Sequence, residues 1–509
     1  MDMLQNSTSA DDSETVTRGV RSFLMGYRFA TIAVVCLLAS SASAQSDAPM
    51  PLPAAPESPS IEAPNAPRVE APQPPTIETP NAPPVEAPQP PLPETPTSTV
   101  PGTVPPPVAS ATPSEQSNLD SALDSELASA PFLSKFQIHG FVSEGGFIST
   151  TNEYIGESAR GSLKLFEAGI NVSLELTDQL RVGLQLVSRS VGTLSEEVPR
   201  LDWAVIDYRW RPWLGLRAGL IKMPLGLYNE YVDIDSARTA ILLPQSLYPV
   251  RNRDALISHM GFAAHGHLPI GLAGELDYQA WLGTLTIPRS ALVLSSGATL
   301  DSVDTRYVTG GQLFWHPPLS GLRVGATYMR AVIDFNISLA SGTVSQVVMA
   351  GIAPANFDGK LVVSQDPTSF WVGSAEYMLG DWLFAAEYSR WLKHQHSSLP
   401  QLSPDLNEDS ERMYAMASYR LSGDFEIGAY YSIVHADVHD RLGRNPRFKH
   451  DFQAFQRDLA TTLRLDINEY WLWKLEAHFI DGTAELQAAT NPNPKRYWGL
   501  FLLRTTVTF

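Results

Sequence analysis

The chain has 509 residues, 44% of them hydrophobic and 18% charged, a charge density below the roughly 25% of an ordinary soluble domain. Its longest nearly apolar run, Phe29 to Ala39, is too short to cross a bilayer as a helix, which excludes a bundle of membrane helices. A formal net charge of −18 argues against nucleic acid as a partner, and a single cysteine excludes a disulfide scaffold or a thiolate metal cage.

Arg18, Arg21 and Arg28 precede the apolar run, and Ala42-Ser43-Ala44 follows it. A basic flank, an apolar stretch and a small-residue cleavage site predict a secretory signal peptide over 1–44, which would carry away Cys36. From 45 to 113 the composition changes: 23 of the chain's 40 prolines fall between Pro49 and Pro113. Ile61–Pro75 is echoed by Ile77–Pro91 with changes only at Ala63/Thr79 and Arg68/Pro84. Proline at this density removes backbone donors, so the segment reads as a disordered linker or a tether toward the cell wall. Leu119, Leu123 and Leu127 lie four apart and predict a short helix within 114–131.

From 132 to 509 the period becomes two. Leu180, Val182, Leu184 and Leu186 share one face while Arg181, Gly183 and Gln185 share the other. This rule predicts strands at Phe136–Phe147, Leu163–Leu176, Leu180–Ser190, Arg200–Trp210, Leu214–Met223, Ala255–Leu268, Gly271–Thr284 and Thr305–His316. It continues with Gly321–Asp334, Ser369–Leu379, Trp382–Lys393, Glu411–Leu421, Asp424–Val438, Ala454–Asp466, Glu469–Asp481 and Trp498–Phe509. The connections alternate between short turns and longer loops. An even number of strands with that alternation predicts an all-β fold, a transmembrane antiparallel β-barrel of 16 strands, because a sheet crosses hydrocarbon only by closing on itself. Trp203, Tyr208, Trp210, Trp213, Trp281, Trp315, Trp382, Trp391, Trp471, Trp473 and Trp498 collect near strand ends, where interfacial girdles need them.

With its signal peptide, alternating runs and final strand Trp498-Gly-Leu-Phe-Leu-Leu-Arg-Thr-Thr-Val-Thr-Phe509, the chain resembles the Gram-negative outer-membrane porins. Lys222–Glu230 and Leu475–Thr483 look loosely like the phosphate-selective group. The resemblance implies a passive channel for small hydrophilic solutes, a homotrimer in outer-membrane lipid, and a third long loop folded into the lumen as a constriction. That loop, Pro224–Asp254, carries Glu230, Asp233, Asp235, Arg238, Arg251, Arg253 and Asp254. Charges across a low-dielectric pore would set a transverse field, and the apolar Ile241-Leu242-Leu243-Pro244 suits packing on an inner wall or on a neighbouring subunit.

Inward parity collects Arg181, Arg189, Arg217, Arg323, Arg412, Arg420, Arg464 and Arg504, together with Glu167, Glu175, Glu387, Glu426, Asp458, Asp466 and Glu476. Two readings stay open: an arginine row handing on anionic solutes, or arginines paired with these carboxylates to stiffen the wall. A channel specific for an anionic solute, or a structural barrel holding the proline-rich arm against the cell wall, are the alternatives to a general pore. No Gly-x-Ser-x-Gly elbow, phosphate loop or His-Glu-x-x-His helix occurs, so no enzymatic activity and no cofactor are expected. His265/His267 and His394/His396 share strand faces but lack further identifiable metal ligands. The expected location is the outer membrane, with the N-terminal segment in the periplasm.

Overall fold

The computed structural model describes residues 135–509 except 193, 195–197, 288–296, 446–447 and 489. The signal peptide, the proline-rich linker and the 114–131 helix lie outside the described residues. Sixteen strands run in chain order: β1 Phe136–Ser149, β2 Leu165–Thr177, β3 Leu180–Val191, β4 Arg200–Arg211, β5 Leu214–Lys222, β6 Ser258–Pro269, β7 Glu275–Leu285 and β8 Ala298–His316. They continue with β9 Leu322–Leu339, β10 Lys360–Leu379, β11 Trp382–Ser397, β12 Leu406–Arg420, β13 Phe425–His435, β14 Phe455–Asp466, β15 Trp471–Gly482 and β16 Tyr497–Thr508. Each strand pairs antiparallel with its sequence neighbours, and β1 pairs with β16, from Phe141↔Thr508 to Ser149↔Leu500, closing the ring.

The outside of the ring is apolar and bare. Ile138, Val142, Leu184, Ile206, Leu216, Phe262, Leu282, Leu313, Leu463, Phe479 and Leu503 are all exposed there, a continuous apolar surface suited to lipid and unfit for water. Tyr208, Trp210, Trp213, Trp315, Trp382 and Trp471 are also exposed and stand at the short-turn end, where an interfacial girdle belongs. Trp473 lies beside Trp471 on the same outward face, but four other tryptophans correct the expectation. Trp281, Trp391 and Trp498 are buried inside the ring, and Trp203 lies against Gly183 across the inner face. Proximity to a strand end does not tell inside from outside; parity does.

Five neighbouring strands are taller than sequence periodicity indicates. β8 to β12 have 19, 18, 20, 16 and 15 residues, and β10 begins at Lys360 rather than Ser369. The physical reason is an inversion of phase. Low on β9 the outward residues are Val324, Ala326 and Tyr328 and the inward ones Arg323, Gly325 and Thr327. Higher up, Met329, Ile333, Phe335 and Ile337 are buried inward, while Asp334 and Asn336 turn outward to Arg306 (2.7 Å) and Asp304 (2.6 Å). Above the lipid the outer face meets water and the inner face meets packed protein, so the alternation persists with its meaning reversed. The segment expected to be a loop, Phe335–Thr368, is therefore strand at both ends, to Leu339 and from Lys360, around a helix at Ser341–Met349 whose Val347 enters the core. At the start of β6 the departure is opposite: Arg253–Leu256 form one helical turn, and the strand opens at Ser258.

Phe509 completes the seam. Its backbone N–H donates to Gly140 O (3.0 Å), and Gly140 N–H donates to Phe509 O (2.9 Å). The Phe509 ring covers Gly140 so closely that a Cβ there would meet ring carbon at 2.3 Å. Gly140→Val should therefore destabilise the closed ring by about 1–3 kcal/mol, an overpacking effect. The check is the thermal midpoint of the folded barrel in detergent. Combining it with Phe509→Ala should recover part of that loss, because the clash and the ring vanish together.

Candidate functional site

The third long loop, hereafter loop 3, occupies 223–257 between β5 and β6 and lies inside the ring. It reaches Gln185 and Arg189 on β3 and Glu387 on β11, strands half a circumference apart, so it crosses the lumen. Its first limb, Met223, Leu225 and Leu227, packs with Leu243 and Leu247 onto an apolar wall that includes Trp281, Met329, Ile333, Phe370 and Trp391. Ile241 and Leu242 fill a second apolar pocket with Leu165, Leu500, Leu502 and Trp498. The Ile-Leu-Leu run thus faces the inner wall, which the apolar residues required once the loop turned inward.

A folded-in loop without regular structure must find partners for its backbone, and side chains of the wall supply them. Glu387 accepts from Leu227 N–H (2.9 Å), Ser374 (2.5 Å) and the Tyr414 hydroxyl (2.7 Å), and also from the Tyr248 hydroxyl. Glu476 accepts from Ile241 N–H (2.7 Å), Leu242 N–H (2.9 Å) and Thr462 (2.6 Å). Lys474 donates to Asp235 O (2.6 Å) and Arg238 O (2.8 Å); Arg464 donates to Ser236 O (2.8 Å); Arg412 donates to Ser246 O (3.0 Å). Asn229 ties the two limbs, donating to Met223 O (2.9 Å) and Leu256 O (2.8 Å). Gly226 sits at φ 61° under Glu387 and Tyr248, where a Cβ would lie 2.6 and 2.5 Å from their oxygens.

The charged residues expected on loop 3 mostly hold the loop itself. Asp233 is buried and pairs with Lys222 (2.5 Å) and Gln185. Asp235 is buried against Lys474 (3.1 Å) and Thr506 (2.8 Å). Asp254 meets Arg200 (2.9 Å) and Arg189 (3.2 Å), while Arg253 lies 3.6 Å from Asp202 and 3.7 Å from Asp254. Arg238 folds back on the carbonyls of Val232, Ala240 (3.1 Å) and Ile241 (3.0 Å). Glu230 accepts from Gln279 (3.3 Å), and burial raises its carboxyl above the ordinary value against the opposing pull of Arg217. Arg251 is partly buried, close to Tyr154.

Every arginine expected on the inward wall does face inward. Arg217 pairs with Asp207 (2.8 Å), Arg323 with Glu376 (2.8 Å), Arg412 with Glu485 (3.0 Å) and Arg420 with Glu426 (2.9 Å). Arg464 pairs with Asp466 (2.8 Å) and Arg504 with Glu167 (2.6 Å), and Arg181 donates to Ser173 (2.9 Å). Of these, Arg181, Arg217, Arg323 and Arg420 keep solvent access, all close to the short turns. Sequence reasoning passed over Lys474, Tyr248, Asn229 and Thr506. Lys474 and Thr506 lie on inward parity and were findable by extending that face to all polar residues; Tyr248 and Asn229 carried no such signal. His265 pairs with Asp207 (3.0 Å) and His267 with Asp277 (2.7 Å), and among the described residues no cluster suited to a metal ion occurs.

No protein-family model and no curated protein matches the chain. Solved structures do, each over 74% of this chain. OmpT expressed in the outer membrane of Vibrio cholerae aligns at 11% identity and TM-score 0.45 over 97% of its length. An anion-selective porin from Comamonas acidovorans aligns at 9% and 0.46 over 99% of its length, and Salmonella typhi OmpF, solved with daunomycin, at 10% and 0.48 over 97%. Likeness at this level assigns no family and no solute to the chain.

Two outcomes are expected of loop 3. Glu476→Ala orphans two buried N–H groups and should destabilise by about 2–6 kcal/mol, with faster proteolytic nicking between Ser236 and Leu247 in the folded protein. Asp235 gives a pH signature. Burial pushes its carboxyl up, but Lys474, Arg504 and Arg238 together with the Thr506 hydroxyl outweigh this and hold it well below the ordinary carboxylate range. A depressed carboxyl contributes stability that is full above its unfolded value, about 3.9, and lost as the pH falls through the folded one. The difference in thermal midpoint between the native chain and Asp235→Asn should accordingly shrink as the solution is made strongly acid.

Proposed function

We propose that the protein is an outer-membrane channel through which small hydrophilic solutes and ions diffuse passively, with loop 3 as its narrow waist. The observation that carries this reading is a closed ring, apolar outside and charged and solvent-accessible inside near its short turns, whose third loop is pinned across the diameter by wall side chains. Hydrocarbon outside and water within is the only pair of environments that fits both faces. Diffusion needs no cofactor and no catalytic group. The proposal extends to a homotrimer in outer-membrane lipid, with the short turns and the N-terminal segment on the periplasmic side.

Solute preference is assigned to the short-turn end. The ion pairs among inward arginines favour a stiff, hydrated wall over a free arginine row. Arg181, Arg217, Arg323 and Arg420 remain reachable there and tilt passage toward small anions.

Planar-bilayer recording of the refolded protein under a salt gradient tests this. The native chain should give steps well below the conductance expected of an unobstructed ring of this size. Joint replacement of Glu387 and Glu476 by Ala should give larger, noisier steps. Changing the four accessible arginines to Gln should move the reversal potential toward cations at nearly unchanged conductance. A folded native barrel that never conducts, with current appearing only in the loop 3 variant, would sink free diffusion and leave a plugged barrel.

A further inference from the structure

Loop 3 does not seal completely against the wall formed by β2, β3 and β16. Between them lies a cavity of ≈50 Å³ whose lining is mostly apolar but brings Glu167, Arg189, Arg238, Arg253 and Arg504 together with Gln245. Arg238 is fully engaged by loop carbonyls. The other three arginines are at least nine-tenths buried yet incompletely bonded. Nε of Arg189, Nε of Arg504 and all three nitrogens of Arg253 have no hydrogen-bond partner among the described residues. Arg253 meets its carboxylates only at 3.6 and 3.7 Å, too far for hydrogen bonds. Glu167, the one carboxylate on the lining, is already held by Arg504 at 2.6 Å.

The charge count points the same way. Ion pairs within 4.0 Å join Arg189, Arg200, Lys222 and Arg253 to Asp202, Asp233 and Asp254, four cations to three anions among the described residues. A second network joins Arg238, Lys474 and Arg504 to Glu167 and Asp235, three to two. The first network carries one positive charge in excess, and it meets the second at this cavity. Buried guanidinium groups are tolerated when their N–H groups are all satisfied, and planar forks facing one space match the several acceptors of an oxyanion better than one halide. The space exceeds that of a single water and so has room for more than one acceptor atom.

We propose that this cavity is a binding site for one small oxyanion of sulfate or phosphate size, which staples loop 3 to the β2, β3 and β16 wall. The site lies between loop and wall, and its occupancy does not depend on whether the barrel conducts.

The test is thermal unfolding of the refolded full chain in detergent, titrating sodium sulfate into sodium gluconate at constant ionic strength. A saturable rise in the midpoint of about 2–4 °C is expected, with inorganic phosphate competing for the same effect. Arg253→Met should lose the saturable part and keep any general salt effect, while Arg330→Gln, exposed on β9 and outside the cavity, should keep both. Should Arg253→Met fail to fold, equilibrium dialysis of radiolabelled sulfate against the native chain should give one site per chain, weakened at least tenfold in Arg504→Lys. No saturable rise would mean a cavity filled by water and would overturn the proposal. So would retention of the rise in Arg253→Met, its loss in Arg330→Gln, or an equal effect from chloride.

Discussion

Every structural choice in this molecule follows from the absence of hydrogen-bond partners in hydrocarbon. A strand facing lipid must pair on both edges, and the seam between β1 and β16, finished by the reciprocal bonds of Gly140 and Phe509, makes that possible for the whole sheet. Closure then creates a second problem. A ring of sixteen strands is too wide for its own inward side chains to meet across the middle, so the interior has to be filled by chain or by water. Loop 3 is the answer to that second problem, and its attachments show how irregular chain survives at membrane depth: it is enclosed by protein that satisfies its backbone.

The interior uses two chemistries in different proportions around the ring: Glu387 and Arg412 also bind the loop beside the larger apolar wall, and Ile241 and Leu242 fill a smaller apolar pocket beside the charged one. On the β7 to β12 side, apolar wall residues such as Met329, Ile333 and Phe370 pack against the loop's leucines as in a soluble core. On the β13 to β16 and β2 to β3 side, charged side chains grip loop carbonyls and carboxylates. Buried ion pairs contribute little net stability, because desolvation offsets most of their attraction, but they are unforgiving of displacement. An apolar contact tolerates sliding, whereas Lys474 loses its partners if the loop moves by a hydrogen-bond length. The apolar contacts give the loop adhesion and the charged ones give it position, a combination suited to a waist of fixed width.

Much of this was legible because lipid and water write alternation directly into the strands. All sixteen strands, their short turns and the inward parity of Arg181, Arg189, Arg217, Arg323, Arg412, Arg420, Arg464 and Arg504 follow from period two alone. The upper parts of β9 and β10 were not legible in the same way. There Ile333, Phe335 and Ile337 still alternate with Asp334, Asn336 and Ser338, but with the apolar set facing inward, so a reading tuned to lipid stops where the lipid stops. Trp281, Trp391 and Trp498 misled for a related reason: residues near strand ends meet either an interface or packed protein, and their types do not say which.

Sequence by itself determined the ring, because pairing of neighbouring antiparallel strands is local and the period of two is a property of each strand alone. It also marked loop 3 as long, charged and oddly apolar at Ile241–Leu243. What only the tertiary structure decided is where those charges go. The partners of Asp233, Asp235, Asp254 and Arg253 come from β3, β4, β5, β15 and β16, strands far apart in the chain and brought together by closure. Charge pairing depends on distance in space, which no local period encodes. The excess of arginine around one small cavity could therefore be seen only once the ring had closed around the loop.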